Sequence, residues 1–141
     1  MGFQIVMRLV CVPPDRVAEV WPHVKEWIKA AMERADIGSF SRAQDDAALG
    51  YNLLWIATDG QTISAAATTE VRETELRKVC VIMACGGEHM QDWLHLIDGL
   101  HDYAKAEGCT AMRVLGPRAW LRKLDGYHEQ AVILERPLNG R

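Results

Sequence analysis

The sequence lacks most of the features that would commit a short chain to a special class. Its four cysteines, Cys11, Cys80, Cys85 and Cys109, form no CxxC pair and no zinc-ligand spacing, which argues against a disulfide framework and a structural zinc site. Three of them fall in or beside apolar runs, where a free cysteine acts as a small hydrophobe, so a reducing, cytoplasmic setting is expected. The longest uninterrupted apolar run, residues 79–85, is strand-sized, far below the roughly 18 residues of a membrane span. Basic charge is not in excess: 16 Lys and Arg stand against 19 Asp and Glu, a net of −3, and neither a nucleic-acid nor a membrane partner is expected. The start of the chain carries Arg8 inside its apolar stretch and no small-residue cleavage site, so no signal peptide is expected. Gly2 is present, but Val6 stands where a myristoylation signal wants Ser or Thr. Repeats, low-complexity tracts and linkers are also missing.

What is present suits one globular domain over residues 1–141. The chain is 49% hydrophobic and 25% charged, which excludes a wholly disordered protein. Charge is uneven: residues 1–110 hold 10 basic and 16 acidic side chains, residues 111–141 hold 6 and 3. The basic end could meet a phosphate or be an ordinary solvated surface.

Residues 4–12 read as a strand. Pro13-Pro14-Asp15 opens a helix, proline being tolerated in a first turn. Val17, Val20, Trp21, Val24, Trp27, Ile28 and Ala31 recur at helical spacing, with Pro22 predicting a kink or a restart. A short helix is expected at 42–48 and a strand at 53–57. Asp59-Gly60 predicts a two-residue hairpin turn leading into a strand at 62–71. Residues 72–75 turn, and 77–84 form a central strand, apolar on both faces: Val79, Val81 and Met83 on one, Cys80, Ile82 and Ala84 on the other. Gly86-Gly87 is expected to break that strand. One helix should follow over 90–106, with Trp93, Leu96, Ile97, Leu100, Tyr103 and Ala104 buried and Gly108 as its stop. A strand at 111–115, a short helix at 118–124 and a last strand at 127–134 complete the order. The hairpin implies an antiparallel pair and the strand–helix–strand crossover a parallel one. The expected fold class is α/β, with a mixed, mostly antiparallel central sheet and helices on both faces.

Several groups of residues could carry chemistry, each beside a plainer reading. Gly86-Gly87 could cradle a ligand at a helix start or simply form a turn. Glu70, Glu73 and Glu75 could supply a general base or be a charged hairpin end. Cys85 and His89 could pair as a nucleophile or be a strand end and a surface histidine. His95, Asp98, His101 and Asp102 read as a solvated helix face rather than a metal site, and no metal is expected. Tyr127 and His128 could move a proton or simply pack. Arg113, Arg118, Arg122 and Lys123 form the basic end.

The element order resembles the GNAT acetyltransferase superfamily across nearly the whole chain, best over 79–127. Tyr103-Ala104-Lys105-Ala106-Glu107-Gly108-Cys109 looks like that family's helix end, and residues 118–124 followed by Gly126-Tyr127 look like its short helix and Gly-aromatic pair. The chain also looks like short GNAT-like proteins of tailed phages and prophages. Counting back from Tyr103, the family's Arg/Gln-x-x-Gly-x-Gly/Ala signature falls on Glu88-His89-Met90-Gln91-Asp92-Trp93, and every glycine of it is missing. The resemblance implies a central strand splayed from its neighbour and transfer of an acyl group from acyl-CoA (acetyl-CoA) to a small-molecule or protein amine. It implies cofactor contacts at Met83, Ala84, Cys85, Gly86, Gly87, His89 and Arg118. It implies a base among Glu70 and Glu73, and a proton donor at Tyr127 in place of the family's short-helix tyrosine. The alternative is a catalytically inactive GNAT-fold phage protein that binds, assembles or enters the virion. A homodimer or a phage protein would then be the partner, in the host cytosol or the virion.

Overall fold

The computed structural model describes residues 6–36 and 38–139. Its elements in chain order are β1 (Arg8–Val12), α1 (Val17–Ala35), α2 (Ala43–Ala48), β2 (Leu53–Thr58), β3 (Ile63–Glu73), β4 (Lys78–Gly87), α3 (Met90–Trp93), α4 (Ile97–Ala106) and β5 (Ala111–Val114). Tight 3-10 turns at Pro14–Arg16, Phe40–Arg42, Leu94–Leu96 and Arg118–Arg122 link or extend them. The five strands lie in sequence order, β1-β2-β3-β4-β5. The first three pairings are antiparallel, and β4 with β5 is parallel. The fold is therefore a mixed, mostly antiparallel sheet.

Each face of the sheet has its own core. On one, Val17, Trp21, Val24, Ile28 and Ala31 of α1 cover Val12, Leu54, Ile56, Ala66 and Ala84. Pro22 does not restart α1, which runs unbroken through it. Pro22 and Ala18 both lie on the exposed side, so the Ala18 carbonyl that loses its helical donor can turn to water. On the other face, Leu100, Ile97 and Tyr103 of α4 cover Trp55, Ala67 and Ile82. The Trp55 and Tyr103 rings meet edge-on at 5.0 Å. Beneath them the buried Trp55 indole N–H donates to Thr69 Oγ1 at 2.9 Å.

Five local expectations are corrected. The β2–β3 connection takes four residues, 59–62, not two: the Asp59 carboxylate accepts the Gln61 and Thr62 N–H groups at 2.8 and 2.7 Å, and Gly60 takes φ 101°. Strand β4 does not break at the glycine pair but pairs with β3 as far as Gly87 opposite Ala65. Gly87 is required there by crowding, since a Cβ would lie 2.4 Å from the Ser64 carbonyl oxygen and 2.5 Å from Ala65 Cβ.

The third correction concerns alternation along β4. Thr68 pairs with Ala84 and Thr69 with Ile82, so Met83 is an extra residue. This bulge resets the two-residue period. Ile82 and Cys85 consequently share the α4 face, while Ala84 sits under α1, contrary to the simple alternation read across 79–84.

The fourth correction is to the helix at 90–106. It is interrupted by the turn Leu94–Leu96. Trp93 folds back so that its Nε1–H donates to the Glu88 carbonyl at 2.7 Å, and its ring packs on Ala57 and Ala65. The fifth concerns the chain's end. Residues 127–134 form no strand. Their composition suits a strand, but a strand needs a hydrogen-bonded neighbour, and none is in register with them. For the first expected strand, residues 4 and 5 lie outside the described part.

Candidate active site

The sheet opens between β4 and β5. Their register ends at Ile82 opposite Val114, with one more bond from the Leu115 N–H to the Ile82 carbonyl at 3.1 Å. Strand β4 continues beside β3 for five further residues, while the chain after β5 turns away at Gly116-Pro117. The gap begins at the Met83 bulge. On the β5 side of Met83–Gly87 no strand is paired among the described residues, so backbone polar groups of that edge are available to a ligand.

On the α4 face next to this gap lies a cavity of about 50 Å³. Cys85, Trp93, Leu96, Leu100 and Trp120 line it, and Ala65, Ala66 and Ala67 of β3 floor it. Ala65 and Ala67, whose side chains share this face, leave the space that larger strand residues would occupy, while Ala66 turns its side chain under α1. The lining is almost wholly apolar, which suits an acyl or alkyl chain rather than a charged group.

Of the residues expected at the cofactor, Met83, Ala84, Cys85, Gly86 and Gly87 follow one another along the gap. Met83 Sδ receives the Arg72 guanidinium at 3.4 Å. Ala84 is fully buried under α1. Burial pushes the Cys85 thiol up to about 12, which opposes thiolate formation. No hydrogen bond joins it to His89 among the described residues. His89 is exposed and takes a left-handed conformation, φ 57° and ψ 55°, just before α3. A Cβ on Gly86 would meet Trp27 at 3.1 Å. Both glycines thus have packing reasons for being small, and α3 is only four residues long. The unpaired strand edge offers backbone donors and acceptors to an extended ligand.

Arg118 is exposed and already engaged: its guanidinium donates to both Glu129 oxygens, at 2.8 and 3.2 Å. That bond is the main reason its pKa is raised. An incoming phosphate would have to compete with Glu129.

The glutamates separate. Glu70 faces Val81, two residues before the bulge, or about 7 Å along the strand. Its carboxylate is 3.2 Å from Arg72 Nη2. Glu73 faces Lys78 at the opposite end of the sheet, nine positions and about 30 Å from Gly87. Glu75 lies in the turn beyond it. The structure brings Glu70 toward the gap and leaves Glu73 and Glu75 remote.

Tyr127 is half-buried beside β5, and its hydroxyl lies 2.8 Å from His101 Nε2. His101 Nδ1 is 3.7 Å from Asp98 Oδ1. Burial pushes the Tyr127 phenol up to about 12. This Asp98–His101–Tyr127 chain was missed in the sequence, where His101 reads as solvated. His101 and Tyr127 are 26 residues apart, and no local spacing announces their contact. Trp120, which stands in the short helix where the resembled family often has a tyrosine, walls the cavity. Among the described residues no group of three His, Cys, Asp or Glu side chains is placed to hold a metal ion, and no helix is long and apolar enough to cross a membrane.

No family model matches the chain, and no curated protein sequence matches it. Solved structures do. An aminoglycoside acetyltransferase from an uncultured soil metagenomic sample, in complex with sisomicin, superposes with a TM-score of 0.70 at 13% identity, over 94% of this chain and 96% of its own. A predicted acetyltransferase from Clostridium acetobutylicum, solved with acetyl-CoA, gives 0.63 at 14% identity over 96% and 99%. A possible acetyltransferase from Clostridium difficile 630 gives 0.59 at 12% over 94% and 97%. With the parallel β4–β5 pair opening beyond Ile82 and helices covering both faces of the sheet, this chain has the GNAT-like acetyltransferase fold.

Proposed function

We propose that the protein is an N-acyltransferase that takes an acyl group from acyl-CoA, with acetyl-CoA the simplest donor, and delivers it to an amine. The observation that carries this reading is the β4–β5 gap, opened where Met83 is bulged and walled by an apolar cavity. Bound there, the thioester would supply an activated acyl carbon. The free edge of Met83–Gly87 would hold the amide groups of the arm, as an added strand is held. Trp120 and Cys85 would shield the acyl end from water. Glu70, acting through water, is the proposed base for an ammonium acceptor, because a base must come within reach of the proton it removes. Tyr127, backed by His101, is the proposed proton donor to the leaving thiolate. Arg118 would meet the phosphates once released from Glu129.

The test is a thermal-shift and calorimetric titration with acetyl-CoA and CoA. Ligand at 100 times its Kd adds about 2.7 kcal/mol and should raise the melting temperature by several degrees. No shift at millimolar CoA overturns the proposal.

One observation favours a second reading, a non-catalytic phage-type binding or assembly protein on the same scaffold. The glycine pair is accounted for by packing against Ser64, Ala65 and Trp27, with none of the signature glycines beside it. A fold alone does not carry a reaction. Failure to bind CoA together with co-purification of a phage structural protein would select this reading.

A further inference from the structure

We infer that the donor carries a short, uncharged acyl group longer than acetyl, of the propionyl-to-butyryl class, and that Ala67 and Trp120 set its length. This donor class presupposes the acyltransferase reading and narrows it. It follows from how small residues are laid out on the α4 face of the sheet.

Strand register sets two cross-strand rows there. Ala57, Ala65 and Gly87 are paired in one row, and Trp55, Ala67 and Cys85 in the next. Trp93 covers the first row. In the second, the Ala67 methyl is a notch between the Trp55 indole and the Cys85 thiol. A notch in a core normally shrinks as its neighbours lean in. Both large neighbours are held back here. Trp55 Nε1–H donates to Thr69 Oγ1 at 2.9 Å, and Trp93 Nε1–H donates to the Glu88 carbonyl at 2.7 Å. Either indole would have to give up its hydrogen bond to turn into the notch, leaving a costly unmet donor.

The notch also communicates with the gap. Trp120 follows β5 and packs over Gly116, where a Cβ would lie 3.6 Å from its ring. Cys85 stands on β4, on the other side of the gap. Both line the same cavity, and both are only half-buried. An acyl group entering from the gap meets Trp120 and Cys85 first, and Ala67 beyond them.

Volume and lining then select the group. The cavity of about 50 Å³ has room for roughly two groups of water or methylene size, at about 30 Å³ each. Acetyl would fill it only in part, propionyl and butyryl place one or two further carbons in it, and octanoyl is too long. None of the described residues that line it is Asp, Glu, Lys or Arg. A succinyl group matches butyryl in length but would bury an unpaired carboxylate there. The transfer stays balanced for any of these donors: a C–N bond forms to the amine as the thioester C–S bond breaks, the amine gives up one proton and CoA leaves as the thiol.

The experiment is calorimetric titration of the full chain with CoA and with acetyl-, propionyl-, butyryl-, succinyl- and octanoyl-CoA. Each methylene added up to butyryl should tighten binding about fourfold, so butyryl-CoA should bind about 15-fold more tightly than acetyl-CoA. Succinyl- and octanoyl-CoA should bind more weakly than butyryl-CoA. Ala67→Leu fills the notch and should bring the ratio of butyryl to acetyl affinity to one or below. Trp120→Ala, at a half-buried position on the 3-10 turn, opens the opposite wall and should move the preference toward longer chains. It decides the matter if Ala67→Leu fails to fold. Butyryl-CoA binding no more tightly than acetyl-CoA, with CoA itself bound, overturns the inference and leaves the acyltransferase reading standing. A butyryl preference that neither variant alters overturns the assignment to Ala67 and Trp120. Failure of every CoA species to bind overturns both the inference and the acyltransferase reading.

Discussion

Tyr127 Oη and His101 Nε2 stand 2.8 Å apart, joining the chain after the last 3-10 turn to the middle of α4. Burial pushes the Tyr127 phenol up to about 12, and that of Tyr103 likewise, against about 10 for tyrosine in an unfolded chain. A raised acid pKa means that the folded state keeps its proton longer. The contribution is therefore complete below pH about 10 and is lost as pH climbs through about 12. Denaturant midpoints measured across this alkaline range should fall, and Tyr127→Phe should make the fall shallower. A Tyr127→Phe curve parallel to wild type would place the phenol in water.

The thiols give an independent test of burial. Cys80 and Cys85 are pushed up to about 11 and about 12, mainly by desolvation, whereas Cys11 is exposed. Native-state alkylation at mildly alkaline pH, read by peptide mass spectrometry, should label Cys11 well before Cys80 or Cys85. Early labelling of Cys85 would revive it as a nucleophile.

Gly87→Ala forces a Cβ against the β3 backbone. Such overpacking typically costs about 1–3 kcal/mol, so thermal denaturation should show a loss of several degrees with no CoA present. An unchanged melting temperature would refute the pairing of Gly87 with Ala65. This cost makes Gly87 a poor probe of ligand binding.

Thr69→Val removes the acceptor of the buried Trp55 indole. An orphaned buried donor costs about 1–3 kcal/mol, while Thr69→Ser retains the hydroxyl and most of the stability. Urea titrations of the two variants should separate accordingly.

Two further substitutions bear on the proposed reaction. Glu129→Gln weakens the hold on Arg118 and should tighten CoA binding by calorimetry. Glu70→Gln should lower kcat by about 10²–10⁴ if Glu70 is the base, with CoA affinity preserved. The same loss from Glu73→Gln would be unexpected, given its place at the far end of the sheet.

Much of the fold is readable from periodicity. The α1 stripe from Val17 to Ala31 appears as the buried face of one helix, and the crossover after β4 yields the parallel pair. What was not readable depends on pairing between distant segments. The Met83 bulge arises from the offset between Thr68–Thr69 and Ile82–Ala84, and either strand alone shows unbroken alternation. The contact of His101 with Tyr127 joins two locally unremarkable residues. Residues 127–134 have strand composition, but composition does not supply a neighbour. Among the candidate residues, the element order was enough to place the run Met83–Gly87 on the strand that borders the gap. Glu70 and Glu73 could not be told apart, since their distances from the gap depend on register.

The Met83 bulge also divides β4 into two stretches that obey opposite parity. Up to Ile82, even-numbered residues face α4, whereas at Ala84 and Cys85 the odd one does. Drawing Met83 into regular alternation would transfer every side chain beyond it to the wrong layer, placing Cys85 against α1 and Ala84 against α4, whereas deleting Met83 would leave both where they are. One inserted residue thus works as a phase shifter, and the gap beside β5 begins where the phase changes.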